Sequence, residues 1–206
     1  LQSAVKLDVK KFIFASTGGA IYGEQDSFPA KENHPQKPIS PYGISKLSIE
    51  GYLRFYQEQY GIKSIIFRYG NVFGPRQNPN GEAGVVAIFC NRLLKYQAPI
   101  INGDGEQTRD YIFIKDVVQA NLLALNTEIT STYNIGTSKE TSVNEITRIL
   151  LQIAKSNISA EKIKRNNYEQ LRSCLDYQKI EKSLGWKPMF SIEEGLIETY
   201  KYFKSN

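Results

Sequence analysis

Histidine and cysteine are nearly absent: the 206 residues hold one histidine, His34, and two cysteines, Cys90 and Cys174. One histidine cannot build a histidine-based metal site, and the two cysteines lack the spacing of a ligand pair. Nor do they form a disulfide framework, so reduced thiols and a cytoplasmic location are expected. No apolar run approaches the roughly 20 residues that span a bilayer, which argues against a membrane protein. No charged-then-apolar leader is present, so no signal peptide is expected in these residues. There is no internal repeat and no low-complexity segment. The net charge is +5, but the lysines are scattered and form no basic stripe interleaved with aromatics. Nucleic acid is therefore not the expected partner. A few arginines meeting a small anionic ligand account for the charge better.

What is present reads as an ordinary globular chain, 41% hydrophobic and 23% charged. Its length suits one large domain or two small interleaved ones. Residues 11–15 (KFIFA) read as a buried parallel strand, followed by a Gly-, Pro- and Asn-rich loop to about 39. Ser40-Pro41 reads as an N-cap with proline at the first helical position, and Gly61 as the stop of a helix reaching Tyr60. Ile49, Tyr52, Leu53 and Tyr56 recur at helical spacing and are expected to pack. Residues 63–69 form the next strand, which completes a strand–helix–strand unit. A helix over 85–96 follows, then short strands over 99–102 and 111–114 flanking the loop GDGEQTRD. A helix over 116–125, a strand over 133–136 and a helix begun by Ser142 with Glu145 come next. Residues 156–171 read as polar and irregular, 179–184 as a short helix stopped by Gly185, and Ser191 with Glu194 as the cap of the last helix.

Tyr42 and Lys46 stand four apart near the start of the first long helix, so their side chains share one face. A lysine beside a phenol favours the phenolate and is expected to lower the tyrosine pKa. A phenol so tuned can act as general base on a sugar hydroxyl. Such pairs are also common on helix surfaces, so the pair alone decides nothing. Ser16 and Thr17, however, end the preceding strand, where ligands bind in open α/β sheets. A hydroxyl there can hydrogen-bond the same substrate oxygen as the phenol.

FASTGGAIYGE, PISPYGISK and FRYGNVFGPRQ together resemble the extended short-chain dehydrogenase/reductase family, in particular its UDP-glucose 4-epimerase-like members. GDGEQTRDYIFIKDVV, YNIGTSKETSVNEI and LGWKP carry the resemblance over almost the whole chain. It implies an α/β fold: the C-terminal part of a Rossmann-type doubly wound parallel sheet with a smaller mixed α/β substrate-binding domain. Residues 1–77 with 108–140 would belong to the NAD-binding domain, and 78–107 with 141–206 to the substrate domain.

The resemblance implies catalytic roles for Thr17, Tyr42 and Lys46, with Ser16 as a second claimant for the hydroxyl. NAD would be held by Ser16, Tyr42, Lys46 and Tyr69. A UDP-sugar would be held by Thr17, Asn71, Gly84, Val85, Arg109, Arg165, Glu169 and Ser173. Arg109 resembles the pyrophosphate-binding arginine, whose fork suits a dianion. An ion pair with Asp110 or Asp116 is its structural alternative. Ser173 resembles the position bordering the sugar's 2-substituent, where a small residue leaves room for an acetamido group; otherwise it is a plain strand residue.

Three departures matter. The Gly-rich turn that cradles the NAD pyrophosphate is not among these residues, since Gly103-Asp104-Gly105 lacks a third glycine and opens no dinucleotide helix. A nucleotide-binding segment before Leu1 is therefore expected, and the chain alone is expected to be inactive. Arg165-Asn-Asn-Tyr-Glu169 stands where Arg-Pro-Gly-Asp/Glu is usual, and Asn102 where an aromatic often packs near the uracil. The implied activity is NAD-dependent epimerisation of a UDP-sugar at C4 through a transient 4-keto sugar, extending to N-acetyl forms, in a homodimer. A nucleotide-sugar 4,6-dehydratase is the rival within enzymes. Gly18-Gly19 stands against it, because the resembling dehydratases carry Asp-Glu there. A ligand-sensing homologue without catalysis is the rival outside enzymes.

Overall fold

A computed structural model describes residues 1–80, 84–164 and 170–206. In chain order the elements are α1 (Gln2–Lys6), β1 (Lys11–Thr17), α2 (Gly18–Tyr22), α3 (Pro41–Tyr60), β2 (Lys63–Tyr69) and β3 (Asn71–Phe73). Then come α4 (Val85–Leu94), β4 (Ile100–Asn102), β5 (Thr108–Arg109), β6 (Tyr111–Phe113), α5 (Ile114–Leu125) and β7 (Ser131–Ile135). The last are β8 (Thr141–Ser142), α6 (Val143–Ala154), β9 (Glu161–Ile163), α7 (Gln178–Leu184) and α8 (Ile192–Ser205). The fold is α/β, and its main sheet is parallel in the order β1-β2-β7. The register sets Thr17 beside Tyr69, and Tyr69 beside Ile135, so three strands end on one line.

The local signals that decide helix ends act as the sequence predicts. Ser40 Oγ accepts from the Gly43 amide, Pro41 opens α3, and Gly61 closes it in the left-handed conformation. Ser142 caps α6, and Ser191 with Glu194 forms a complete capping box on α8.

The packing face of α3 differs from the expected one. Of Ile49, Tyr52, Leu53 and Tyr56 only Leu53 is buried, while Ile49 and Tyr52 face outward. The buried positions are Gly43, Glu50 and Leu53. The stripe lies one residue away because a carboxylate with a partner in the sheet displaces aromatics from the inward face. The loop after β1 contains the one-turn helix α2, and the segment read as irregular contains β9, which pairs in parallel with β4.

Two apolar clusters flank the line of strand ends. One lies on the main sheet, where Ile65, Phe67, Tyr133 and Ile135 meet Val117 and Ala120 of α5 together with Ile180 and Trp186. The other joins α4, α6 and α8 through Phe89, Ile146, Leu150 and Leu196, and reaches β3 and β6 at Phe73 and Phe113. Among the described residues no helix is long and apolar enough to cross a membrane. Among them, too, no cluster of His, Cys, Asp and Glu could hold a metal ion.

Candidate active site

β1 ends at Thr17, and α3 passes over that end so closely that a Cβ on Gly43 would fall 2.4 Å from the Ala20 carbonyl oxygen. This approach brings the first turn of α3, and with it Tyr42, against the strand end. The Thr17 side chain lies close enough to the Tyr42 phenol to affect its proton affinity. Burial raises the phenol pKa above its ordinary value, and the Thr17 contact only partly opposes this. The expected lowering by Lys46 is thus not what the structure shows. Lys46 Nζ stands 5.7 Å from the Tyr42 ring centroid and donates to the Ala15 carbonyl at 2.8 Å. One of its three donors is used in that bond, and Nζ also stands 5.0 Å from the Phe14 ring centroid.

Ser16 and Thr17 point to opposite faces, as neighbours in a strand must. Ser16 is buried, and its hydroxyl donates to Glu50 Oε1 at 2.6 Å. Thr17 is half-buried on the Tyr42 side. Glu50 lies two helical turns beyond Tyr42 and one beyond Lys46, and it receives a bidentate bond from Arg68 of β2 at 3.0 and 2.6 Å. Burial works against the Arg68 charge, but the bonds to Glu50 outweigh it and hold its pKa above the ordinary value. Arg68 also donates to the Tyr22 hydroxyl at 3.0 Å, and Tyr22 donates to Asn134 of β7 at 2.7 Å. The helix carrying Tyr42 and Lys46 is therefore pinned to all three strands from beneath. Sequence reasoning missed this network. The available signal was Arg68 inside an otherwise apolar strand, since a buried charge demands a partner.

Asn71, Gly84, Val85 and Arg109 come from three separate segments and line one cavity of about 330 Å³. Ile88, Phe89, Ile100 and Val143 make its apolar wall. Asn102, which stands where an aromatic often packs near the uracil, also lines it, as do Gln107 and Tyr111, which the sequence had not marked. Gln107 Nε2 donates to the Asn102 carbonyl at 2.9 Å, whereas its Oε1 is buried with no hydrogen-bond partner among the described residues. A cavity with an apolar wall, a few amide groups and one guanidinium suits a flat polar ring joined to a phosphate.

The Arg109 guanidinium donates to the carbonyls of Thr108 and Gln170 at 2.8 and 2.7 Å. The Asp110 carboxylate is met by donors from Thr137, Ser138 and Leu175, and that of Asp116 by the Met189 and Phe190 amides. The Tyr69 hydroxyl accepts from Asn121 of α5 at 2.9 Å, and burial raises its pKa. Ser173 is buried, and its Oγ stands 2.9 Å from where a Cβ on Gly19 would lie. It thus sits under the loop that follows Thr17, outside the cavity of Arg109. Arg165 and Glu169 lie outside the described residues.

Comparison with known proteins agrees with this geometry. Residues 1–136 match the model of the NAD dependent epimerase/dehydratase family. The UDP-glucose 4-epimerase of Mycolicibacterium smegmatis is 36% identical over 198 residues, which are 96% of this chain and 63% of that protein. The crystal structure of the Thermotoga maritima UDP-glucose 4-epimerase with UDP-glucose superposes with a TM-score of 0.97 at 47% identity, over 99% of this chain and 66% of that one. The UDP-N-acetylglucosamine 4-epimerase of Methanobrevibacter ruminantium M1 gives 0.94 at 34% identity, over 99% and 66%. The chain spans about two thirds of the length of these relatives. With the matched residues covering well over half of it, the chain belongs to the NAD dependent epimerase/dehydratase family.

Proposed function

We propose that the protein containing this chain inverts a UDP-sugar at C4, with NAD as cofactor. The observation that carries the reading is the meeting of Thr17, Tyr42 and Lys46 at the end of β1, beside a cavity lined by Asn71, Gly84, Val85 and Arg109. The described residues fit the nicotinamide end of NAD: Tyr42 is 56% exposed, and the uncommitted donors of Lys46 suit the two hydroxyls of a ribose. When bound, NAD supplies the group that takes a hydride from the sugar carbon and gives it back.

The chain's own residues handle the proton and the pose. Tyr42 takes the proton from the sugar 4-hydroxyl and later returns it, with Thr17 hydrogen-bonded to the same oxygen. The Thr17 contact partly offsets the burial that disfavours the phenolate. Arg109 and Asn71 hold the pyrophosphate, so the sugar can turn over at C4 while the nucleotide stays fixed. The Gly-rich phosphate turn is not among these 206 residues, and on their own they are inactive in this reading. Small Ser173 beneath the loop after Thr17 supports N-acetylated sugars as further substrates. The exposed Ile44, Tyr52 and Phe55 of α3 support a homodimer, and the reduced thiols support a cytoplasmic enzyme.

A 4,6-dehydratase is disfavoured because Gly18 and Gly19 bring no acid to the place where that chemistry needs one. The test is a product assay: full-length protein, NAD and UDP-glucose, followed by proton NMR. UDP-galactose is the expected product. A 4-keto-6-deoxy sugar nucleotide would transfer the assignment to the dehydratases, and no turnover of any UDP-sugar would end the epimerase reading.

A further inference from the structure

Asp110 lies between β5 and β6, directly after Arg109, and is fully buried. Its Oδ1 accepts from the Thr137 amide and the Thr137 hydroxyl, both at 2.7 Å. Its Oδ2 accepts from the Ser138 amide at 3.2 Å and the Leu175 amide at 3.1 Å. Its carbonyl oxygen accepts from the Asn71 amide at 2.7 Å. One residue thus ties the start of β3, the loop after β7 and the segment that bridges to Ala30. The surroundings are built tightly around it. A Cβ on Gly136 would stand 2.4 Å from Oδ2, and one on Gly70 would stand 2.6 Å from the carbonyl oxygen.

No group in this list is a cation. The carboxylate is met by three backbone amides and one hydroxyl, all neutral. A charge-assisted bond is worth more than its neutral counterpart, and the two from Thr137 are short at 2.7 Å, so the arrangement is made for the ionised form. Burial opposes that form and pushes the pKa up to about 6. The charged and titratable groups around it are few. Arg109 precedes it and stays protonated at all relevant pH values. Tyr111 follows it. Cys174, on the bridging segment, has a thiol pushed up to about 12 by burial and by the Asp110 charge, so it stays neutral. The loop after β7 brings Thr137 and Ser138 and, beyond them, Lys139 and Glu140, whose carboxyl pairs with Arg172 and is thereby held below the usual carboxylate range.

The geometry points to ionised Asp110 as a positioning residue that holds Asn71 and Arg109 in the pose that grips the pyrophosphate of the nucleotide sugar. This inference rests on the epimerase reading. A proton on Asp110 takes the negative charge from all four bonds and puts a hydroxyl among the donors, so the Thr137 hydroxyl must turn to accept it or a backbone amide must let go. What loosens is the hold of Thr137, Ser138 and Leu175 on Asp110, and with it the Asp110 backbone, whose carbonyl holds the Asn71 amide and which carries Arg109 directly before it. Nucleotide-sugar affinity should therefore fall as pH drops through about 6. UDP-glucose is the right probe, because its pyrophosphate is a diester and keeps its charge across this range.

The experiment is calorimetric titration of full-length protein with UDP-glucose from pH 7.5 to 5.5. The wild type should weaken about threefold by pH 5.5, where roughly three quarters of the Asp110 carboxyl is protonated and that form binds about tenfold more weakly, the size of one lost charged hydrogen bond. Asp110→Asn should bind weakly at pH 7.5 and show no acid limb. Thr137→Val is the milder variant: removing one donor leaves the fold in place, raises the Asp110 pKa further and moves the acid limb to higher pH. A wild-type affinity that is flat across this range, or a Thr137→Val limb that does not move, overturns the role of Asp110 and leaves the epimerase reading standing. Failure of the wild type to bind UDP-glucose at any pH overturns both.

Discussion

Replacing Glu50 by Gln removes one charge from a pair that is almost wholly dry. The side chains of Arg68 and Glu50 are 4% and 3% exposed, and the bidentate bond between them measures 3.0 and 2.6 Å. The substitution keeps size and shape, so no cavity forms. What it leaves is a guanidinium in the interior without its counter-charge, still touching the Tyr22 hydroxyl and the Glu32 carbonyl. Breaking a buried pair in this way costs about 3–5 kcal/mol. Arg68→Met strands the carboxylate instead, with Ser16 as its one remaining side-chain partner among the described residues, and should cost a similar amount. Each single change includes the penalty of one stranded charge, and the double change Glu50→Gln with Arg68→Met includes neither. The double variant should therefore be less destabilised than the sum of the singles by at least about 3 kcal/mol. Urea unfolding read by far-ultraviolet circular dichroism measures all three, provided the denaturant slope stays constant. Single costs below about 1 kcal/mol, or a double equal to the sum, would refute the claim that this pair pins α3.

Tyr42→Phe should lower turnover about 10²–10⁴-fold while UDP-sugar affinity holds, because the ring still packs and only the proton carrier is gone; a variant within threefold of wild type removes Tyr42 from the mechanism. Arg109→Ala should weaken UDP-sugar binding by about 1.5–3 kcal/mol, the worth of a hydrogen bond to a charged group, and unchanged affinity by calorimetry would make Arg109 a purely structural residue. Ser173→Tyr should suppress turnover of UDP-N-acetylglucosamine and spare UDP-glucose, since a ring there crowds the loop at Gly19; equal damage to both substrates, or a wild type that ignores the N-acetyl sugar, would dismiss Ser173 as the gate. The isolated 206 residues should bind NAD only weakly, and micromolar or tighter binding in calorimetry would show that the Gly-rich turn is dispensable.

Signals within a few residues of one another determined much of this protein from its sequence alone. Ser40, Pro41 and Gly61 set both ends of α3, and Ser191 with Glu194 set the start of α8, because caps and left-handed stops are satisfied by the chain's own neighbouring amides and carbonyls. Alternation along β1 separated Ser16 from Thr17 in principle, and the four-residue step put Tyr42 and Lys46 on one face. Everything that needed a partner from far along the chain was decided by the tertiary structure. The inward face of α3 turned on Arg68 of β2, which rewards a buried Glu50 and leaves Tyr52 outside. β9 forms only because β4 offers it an edge, so a polar, irregular composition hid it. The Tyr42 pKa is raised because desolvation depends on what covers the phenol, whereas helical spacing fixes only which side chains are near it. An ion pair with Asp110 or Asp116 was the structural alternative for Arg109. The fully buried Asp110 carboxylate instead meets amides from residues 137, 138 and 175, which come together there only once the chain has folded.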